Sequence, residues 1–160
     1  QPAQSAAPVR TGCTTLIPVR IRDNSRMLQY QTIPVTPFQQ NCSLIWDDQT
    51  RQAAVIDPGG DLHVLLGAVK QLNLKLEQIW ITHGHVDHAA GTADLAEQLQ
   101  LPIIGPHPAD QFWIEGLTQA AAMYGFPPAR AFNPTRWLAD GELFRGQPTA
   151  ALDRVLARMG

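Results

Sequence analysis

The sequence predicts a single α/β (α+β) domain, a sheet covered by helices. Three strand-like segments follow one another over residues 29–57, which suggests an antiparallel start to the sheet. Helix-patterned and strand-patterned segments then alternate, the order of a sheet that carries helices on its face. Thirteen prolines and twelve glycines in 160 residues argue for many short connections rather than a helical bundle.

The strands come first. Gln29 to Val35, Cys42 to Trp46 and Gln52 to Asp57 are short and rich in apolar or β-branched residues. Pro37, the pair Asp47-Asp48 and Pro58-Gly59-Gly60 punctuate them. Asp61 then stands where a helix N-cap belongs. Leu62, Leu65, Leu66, Val69 and Leu72 follow at helical spacing on one face, and Asn73 marks the stop. Gln78 to Thr82 reads as a buried strand. Gly91 to Gln100 reads as a helix with Leu95, Ala96 and Leu99 facing inward, and Leu101 to Gly105 as another short strand. Pro108 to Tyr124 reads as helix in two pieces broken near Gly116. Phe112, Trp113, Leu117 and Met123 there are expected to serve a core or a lid. Arg136 to Phe144 reads as a β-hairpin with Asp140-Gly141 in its turn.

The ends differ in character. Residues 1–26 read as a disordered or non-native leader, the alternative being an Arg-rich targeting peptide. Residues 27–144 form the domain, with Met27 as its candidate start. Residues 145–160 read as a divergent tail with a helical stripe of Leu152, Val155, Leu156 and Met159.

Composition excludes several classes of function. The chain is 44% apolar and 16% charged, with a formal charge of −2. No basic patch with interleaved aromatics points to nucleic acid. No run of apolar residues is long enough to span a bilayer, and no secretory h-region stands at the N-terminus. The two cysteines, Cys13 and Cys42, form no CxxC pair. That suits a reducing, cytoplasmic compartment. Cys42 sits in an apolar strand and is expected to be buried and inert.

One stretch carries chemistry: Ile81-Thr82-His83-Gly84-His85-Val86-Asp87-His88. Three of the chain's five histidines and one aspartate fall within six residues. Imidazole is a good ligand for zinc and other borderline divalent metals. Residues two apart in an extended loop project to the same side, so His83 and His85 can grip one ion. Gly84 removes a side chain that would crowd the turn. Asp87 and His88 are adjacent and are placed to reach a second ion beside the first. Two such ions can share a bridging water or hydroxide and lower its pKa toward neutrality, so metal-assisted hydrolysis is the natural reaction class. Asp57, at a strand end before Pro58-Gly59, reads either as a support for a ligand histidine or as a turn aspartate. His63 reads as a surface residue and His107 as a helix start. Ser43 has no base nearby in sequence, so a serine triad has no support.

These residues resemble the metallo-β-lactamase superfamily, whose signature Thr-His-x-His-x-Asp-His is matched by Thr82, His83, His85, Asp87 and His88. The likeness is closer to its small bacterial glyoxalase II-like (hydroxyacylglutathione hydrolase-like) branch. Gln40 to Trp46, Ala54 to Gly60, Leu101 to Pro106 and Arg136 to Gly141 carry it, over about residues 28 to 144. The resemblance implies an αββα sandwich. It assigns His83 and His85 to a first metal, Asp87 and His88 to a second, and Asp57 to a supporting place. Asp87 is also the candidate catalytic residue. The implied cofactor is a pair of divalent ions, zinc first, with iron or manganese as alternatives. The implied reaction is hydrolysis of a small-molecule glutathione thioester such as S-lactoylglutathione through a bridging hydroxide. Lactamase, nuclease and persulfide dioxygenase chemistry are the alternatives within the fold.

The departures matter as much. The family supplies further ligands from its second half, and here no histidine follows His107. The later aspartates, Asp110, Asp140 and Asp153, stand in no matching context. The expectation is therefore a sandwich truncated to its first half, with each ion under-coordinated. The alternative function is a non-catalytic fragment that binds metal weakly. A half-sandwich would expose an apolar sheet face, open to self-association or to cover by another chain.

Overall fold

The computed structural model describes residues 28–142. The expected leader, the tail and the end of the hairpin at Leu143-Phe144 lie outside them. Five strands form one mixed sheet in sequence order: β1 (Leu28–Val35), β2 (Gln40–Asp47), β3 (Gln52–Ile56), β4 (Lys75–Trp80) and β5 (Ile103–Ile104). The first three pair antiparallel through tight turns, and β3, β4 and β5 run parallel. Parallel neighbours need a crossover. Helix α1 (Leu62–Gln71) provides the first, and α2 (Val86–Ala89) with α3 (Thr92–Leu99) the second. Strand β1 is at the sheet edge, which accommodates Pro34, a residue with no N–H to donate.

Strand period two sorts the apolar residues onto two faces. Cys42, Leu44, Trp46, Ala53, Val55, Ile79 and Ile103 share one buried cluster with Leu65 of α1 and Leu95 of α3. Leu62, Leu66, Val69 and Leu72 pack against it from α1. Between them on the strands, Ile45, Ala54, Trp80 and Ile104 face the other way and form a second cluster with Leu28. Tyr30, Ile56 and Leu138 pack there, and the five residues of the second cluster are each at most 8% exposed. The apolar sheet face expected to stand open is therefore buried at these positions.

A third cluster sits at the sheet's C-terminal edge. Helices α4 (Gln111–Glu115) and α5 (Leu117–Tyr124), separated by Gly116, bring Ile114, Leu117 and Ala121 against Val86, Ala89 and Ala90. This cluster positions the histidine-rich stretch, because α2 is a single turn and cannot hold itself.

Several expectations need correction. Strand β4 begins at Lys75 and ends at Trp80, although the Ile81 N–H still donates to the Ile104 carbonyl at 3.0 Å. Thr82 leaves the ladder because its N–H turns to a side chain. Asp61 precedes α1, but its carboxylate makes no cap bond; it accepts the Thr36 N–H at 2.8 Å and ties two loops together. Leu99 is exposed, because α3 is short and only one side of it meets the sheet. Of the four apolar residues singled out between Pro108 and Tyr124, only Leu117 is buried; Phe112, Trp113 and Met123 are exposed. No hairpin forms over the described part of residues 136–144. Arg136 makes a single parallel bridge to Ile104, which continues the sheet instead, while Asp140-Gly141 still turns the chain.

Candidate metal centre

The centre is built where β3 and β4 end side by side. The Asp57 N–H donates to the Trp80 carbonyl at 2.9 Å, which keeps the two strand ends in register past the sheet. Asp57 then adopts a left-handed backbone, φ 53°, an uncommon conformation for any residue but glycine. That turn puts its side chain under the loop after β4. It is 4% exposed. Its Oδ1 accepts the Thr82 N–H at 2.8 Å and its Oδ2 accepts the Thr82 hydroxyl at 2.6 Å. The same Oδ2 lies 3.0 Å from His88 Nδ1.

Chain approach here is very close. A Cβ on Gly59 would stand 1.6 Å from the Asp87 carbonyl oxygen, so only glycine lets the β3 loop lie against α2. At Gly84 a Cβ would meet Trp113 Cβ at 2.8 Å, which shows α4 lying directly over the motif loop.

The imidazoles converge. His83 and His85 have ring centroids 4.7 Å apart, nearly perpendicular, and His83 and His88 are closer, at 4.0 Å. The nearest ring pair is thus one that the spacing argument had divided between two ions. Helix α2 explains this. His85 sits just before it, Val86 and Ala89 turn inward, and one turn brings His88 back toward His83. The ligand atoms of Asp57, His83 and His88 all lie within 4.8 Å of one another. Asp87 Oδ2 lies 3.5 Å from His88 Nε2, so the two look into the same space. His63 and His107 are exposed elsewhere, and His107 Nδ1 accepts the Ala109 N–H.

Burial first, and then the adjacent His88 ring, hold the His83 pKa below the ordinary histidine value. A neutral imidazole is the form that binds metal. Nitrogen and carboxylate donors together suit a divalent ion of the zinc, iron or manganese kind. The residues present therefore fit such an ion.

Two neighbours escaped sequence reasoning. Gln40 Nε2 lies 3.2 Å from His88 Nδ1 across 48 residues of chain, and no local pattern marks it. Trp113 meets His85 edge to face at 4.7 Å. Its apolar character in a helix-patterned stretch marks it for a core or a lid, without naming His85 as its partner. A surface groove of about 370 Å³ between Thr36, Leu62, Gly91 and Phe126 has none of the motif histidines in its lining.

The sequence model of the metallo-beta-lactamase superfamily matches residues 35–153. The chain belongs to the metallo-beta-lactamase superfamily. Among curated members, hydroxyacylglutathione hydrolase GloC of Haemophilus influenzae is 41% identical over 119 residues, 74% of this chain and 56% of that protein. A hydroxyacylglutathione hydrolase of Vibrio cholerae is 32% identical over 131 residues, 75% of this chain and 50% of its own length. The chain thus spans about half the length of these superfamily relatives. Among solved structures, TTHA1623 in a di-iron-bound form is similar with a TM-score of 0.62 at 32% identity, over 69% of this chain and 55% of that one. The B3 metallo-beta-lactamase BLEG-1 gives 0.60 at 26% identity, over 69% and 53%. The mixed five-stranded sheet with its helices is the N-terminal part of the superfamily fold.

Proposed function

We propose that the chain holds divalent metal through His83, His85, Asp87 and His88 and serves the hydrolysis of glutathione thioesters, S-lactoylglutathione among them. The observation that carries this reading is the convergence of three imidazoles and a carboxylate at the end of β4, in a chain 41% identical to a hydroxyacylglutathione hydrolase. When bound, the metal would supply carbonyl polarisation and water of lowered pKa. The chain's own residues do the rest. Asp87 Oδ2 and His88 Nε2 present donors to one space. Asp57 braces His88 and the Thr82 loop from below: its Oδ1 accepts the Thr82 N–H, and its Oδ2 accepts the Thr82 hydroxyl and faces His88 Nδ1. Trp113 walls His85 from one side and limits the directions in which the ring can tilt. Zinc is the first expectation; the di-iron form of a similar structure keeps iron in view. Cys42, buried and protonated, takes no part, and the reduced thiol suits the cytoplasm.

The share of the relatives that the chain spans supports a second reading. In it this stretch supplies one half of the ligand set, and turnover needs the other half from additional chain. Purified protein, its His85→Ala variant and a metal analysis separate the two. Metal bound by the parent and S-lactoylglutathione hydrolysis lost in the variant support the enzyme reading. Metal bound with equal background rates in both supports the half-site reading. No metal in the parent after loading with zinc, iron or manganese sinks both.

A further inference from the structure

Beside the imidazoles, one exposed hydroxyl and one buried carboxylate decide where the ring hydrogens sit. Thr82 Oγ1 is 2.6 Å from Asp57 Oδ2 and 2.9 Å from His83 Nδ1. A hydroxyl has one proton to give and a carboxylate can only accept. The Thr82 proton is therefore committed to Asp57. Toward His83 the same oxygen can only accept, so Nδ1 must carry the hydrogen. The His83 lone pair is then left on Nε2.

His88 follows the same logic without an intermediary. Its Nδ1 faces Asp57 Oδ2 at 3.0 Å, and a lone pair there would face a negative oxygen. Gln40 Nε2 stands 3.2 Å from the same nitrogen; it gives one hydrogen to the Asn41 carbonyl at 2.8 Å, and its second is a neutral donor that competes with Asp57 for His88 Nδ1. The charged acceptor gives the stronger bond. His88 Nδ1 thus carries its hydrogen, and Nε2, 3.5 Å from Asp87 Oδ2, keeps the lone pair.

We propose that Thr82 is a positioning residue that fixes His83 in its Nδ1–H tautomer, so that one buried carboxylate, Asp57, sets the ring state of His83 through the Thr82 hydroxyl and of His88 directly. The value of this arrangement to a metal rests on the ligand reading above. The tautomers do not depend on that reading. Rings held as Nδ1–H present Nε2 without first moving a proton, and support of this kind typically changes metal affinity by about 10–100-fold.

The test is a long-range ¹H–¹⁵N correlation spectrum of the histidine rings in the full metal-free chain, about 1.5 pH units above the ordinary imidazole pKa of ~6.5. Single His→Gln variants assign the signals. The parent and Thr82→Ser should show His83 as Nδ1–H. Thr82→Val, which keeps the shape and the backbone N–H, should lose that pattern at His83 and retain it at His88. Asp57→Asn should disturb both rings. Zinc affinity, read by competition with a coloured chelator, should fall roughly 10-fold or more in Thr82→Val and recover in Thr82→Ser. An Nε2–H pattern at His83 in the parent, or an unchanged His83 in Thr82→Val, overturns the proposal. Should Thr82→Val fail to fold, the parent spectrum and Thr82→Ser still decide it. Correct tautomers in a parent that binds no zinc would leave the positioning role standing and remove the ligand reading.

Discussion

Cys42 shows how burial alone sets the chemistry of one residue. It lies in β2 with no exposed surface, and its thiol is pushed up to about 12, first by desolvation and then by the charge of Asp57. A thiol whose folded pKa is raised keeps its proton while the unfolded chain loses it. The unfolded state then binds fewer protons, so stability is unaffected below the ordinary thiol value of 9.0 and falls as pH rises from there toward 12. In a Cys13→Ser background, urea unfolding across that alkaline window should show a slope approaching about 1.4 kcal/mol per pH unit from this group. Cys42→Ala should flatten that component. The same background should resist iodoacetamide at neutral pH until denaturant is added. Prompt labelling of the folded chain would contradict the burial argument.

Among the elements, α2 depends most on its neighbours. Four residues make one turn, too little to repay its own nucleation. Val86 and Ala89 gain their stability by packing against Ile114 and Leu117. The outward residues of that turn are Asp87 and His88, so apolar packing on one side aims the polar donors on the other. Ile114 is 1% exposed. Ile114→Ala should cost about 2–5 kcal/mol of stability, read as a lower urea midpoint at unchanged slope. Zinc affinity should fall with it. Leu65→Ala in α1, an equally buried residue of the sheet-face cluster, should cost a similar amount of stability and leave zinc affinity much closer to the parent value. Equal loss of affinity in both would show that α4 has no special hold on the motif.

At the scale of the molecule, two parallel strand ends, a loop closed by Gly59 and a helix layer at one edge converge on a few polar side chains. Burial, and after it the neighbouring His88 ring, make His83 give up its proton more easily than an ordinary histidine. Any ion bound to the folded state alone should raise stability by mass action, about 2.7 kcal/mol at one hundred times its dissociation constant. For a chain of this length that corresponds to a rise of roughly 5–10 °C in Tm. Differential scanning fluorimetry with zinc, iron(II) and manganese(II) should rank the metals by that shift. A doubly substituted His83→Ala/His88→Ala chain should show none. A shift that survives both substitutions would place the ion elsewhere.

The sequence by itself determined the order of strands and helices, the apolar face of α1 and the identity of the cluster from Thr82 to His88. These are local properties: strand alternation, helical spacing and a motif written within eight residues. Its errors share a cause. Leu99 is apolar at a helical position, and whether such a residue is covered depends on what lies opposite, which spacing does not state; for the same reason spacing leaves Phe112, Trp113 and Met123 open between core and lid, and packing leaves them exposed. Likewise Arg136 continues the sheet beside Ile104 because the neighbouring strand is already there, not because residues 136–138 prefer a hairpin. Only the tertiary structure decided that Asp57, twenty-five residues before Thr82, would close beneath it. It also decided that His83 would lie nearer His88 than His85, and that Gln40 and Trp113 would border the centre. The physical reason is that a hydrogen bond acts over about 3 Å of space and is indifferent to chain separation. Which distant groups come within that reach is settled by packing β3 against β4 and α4 against α2.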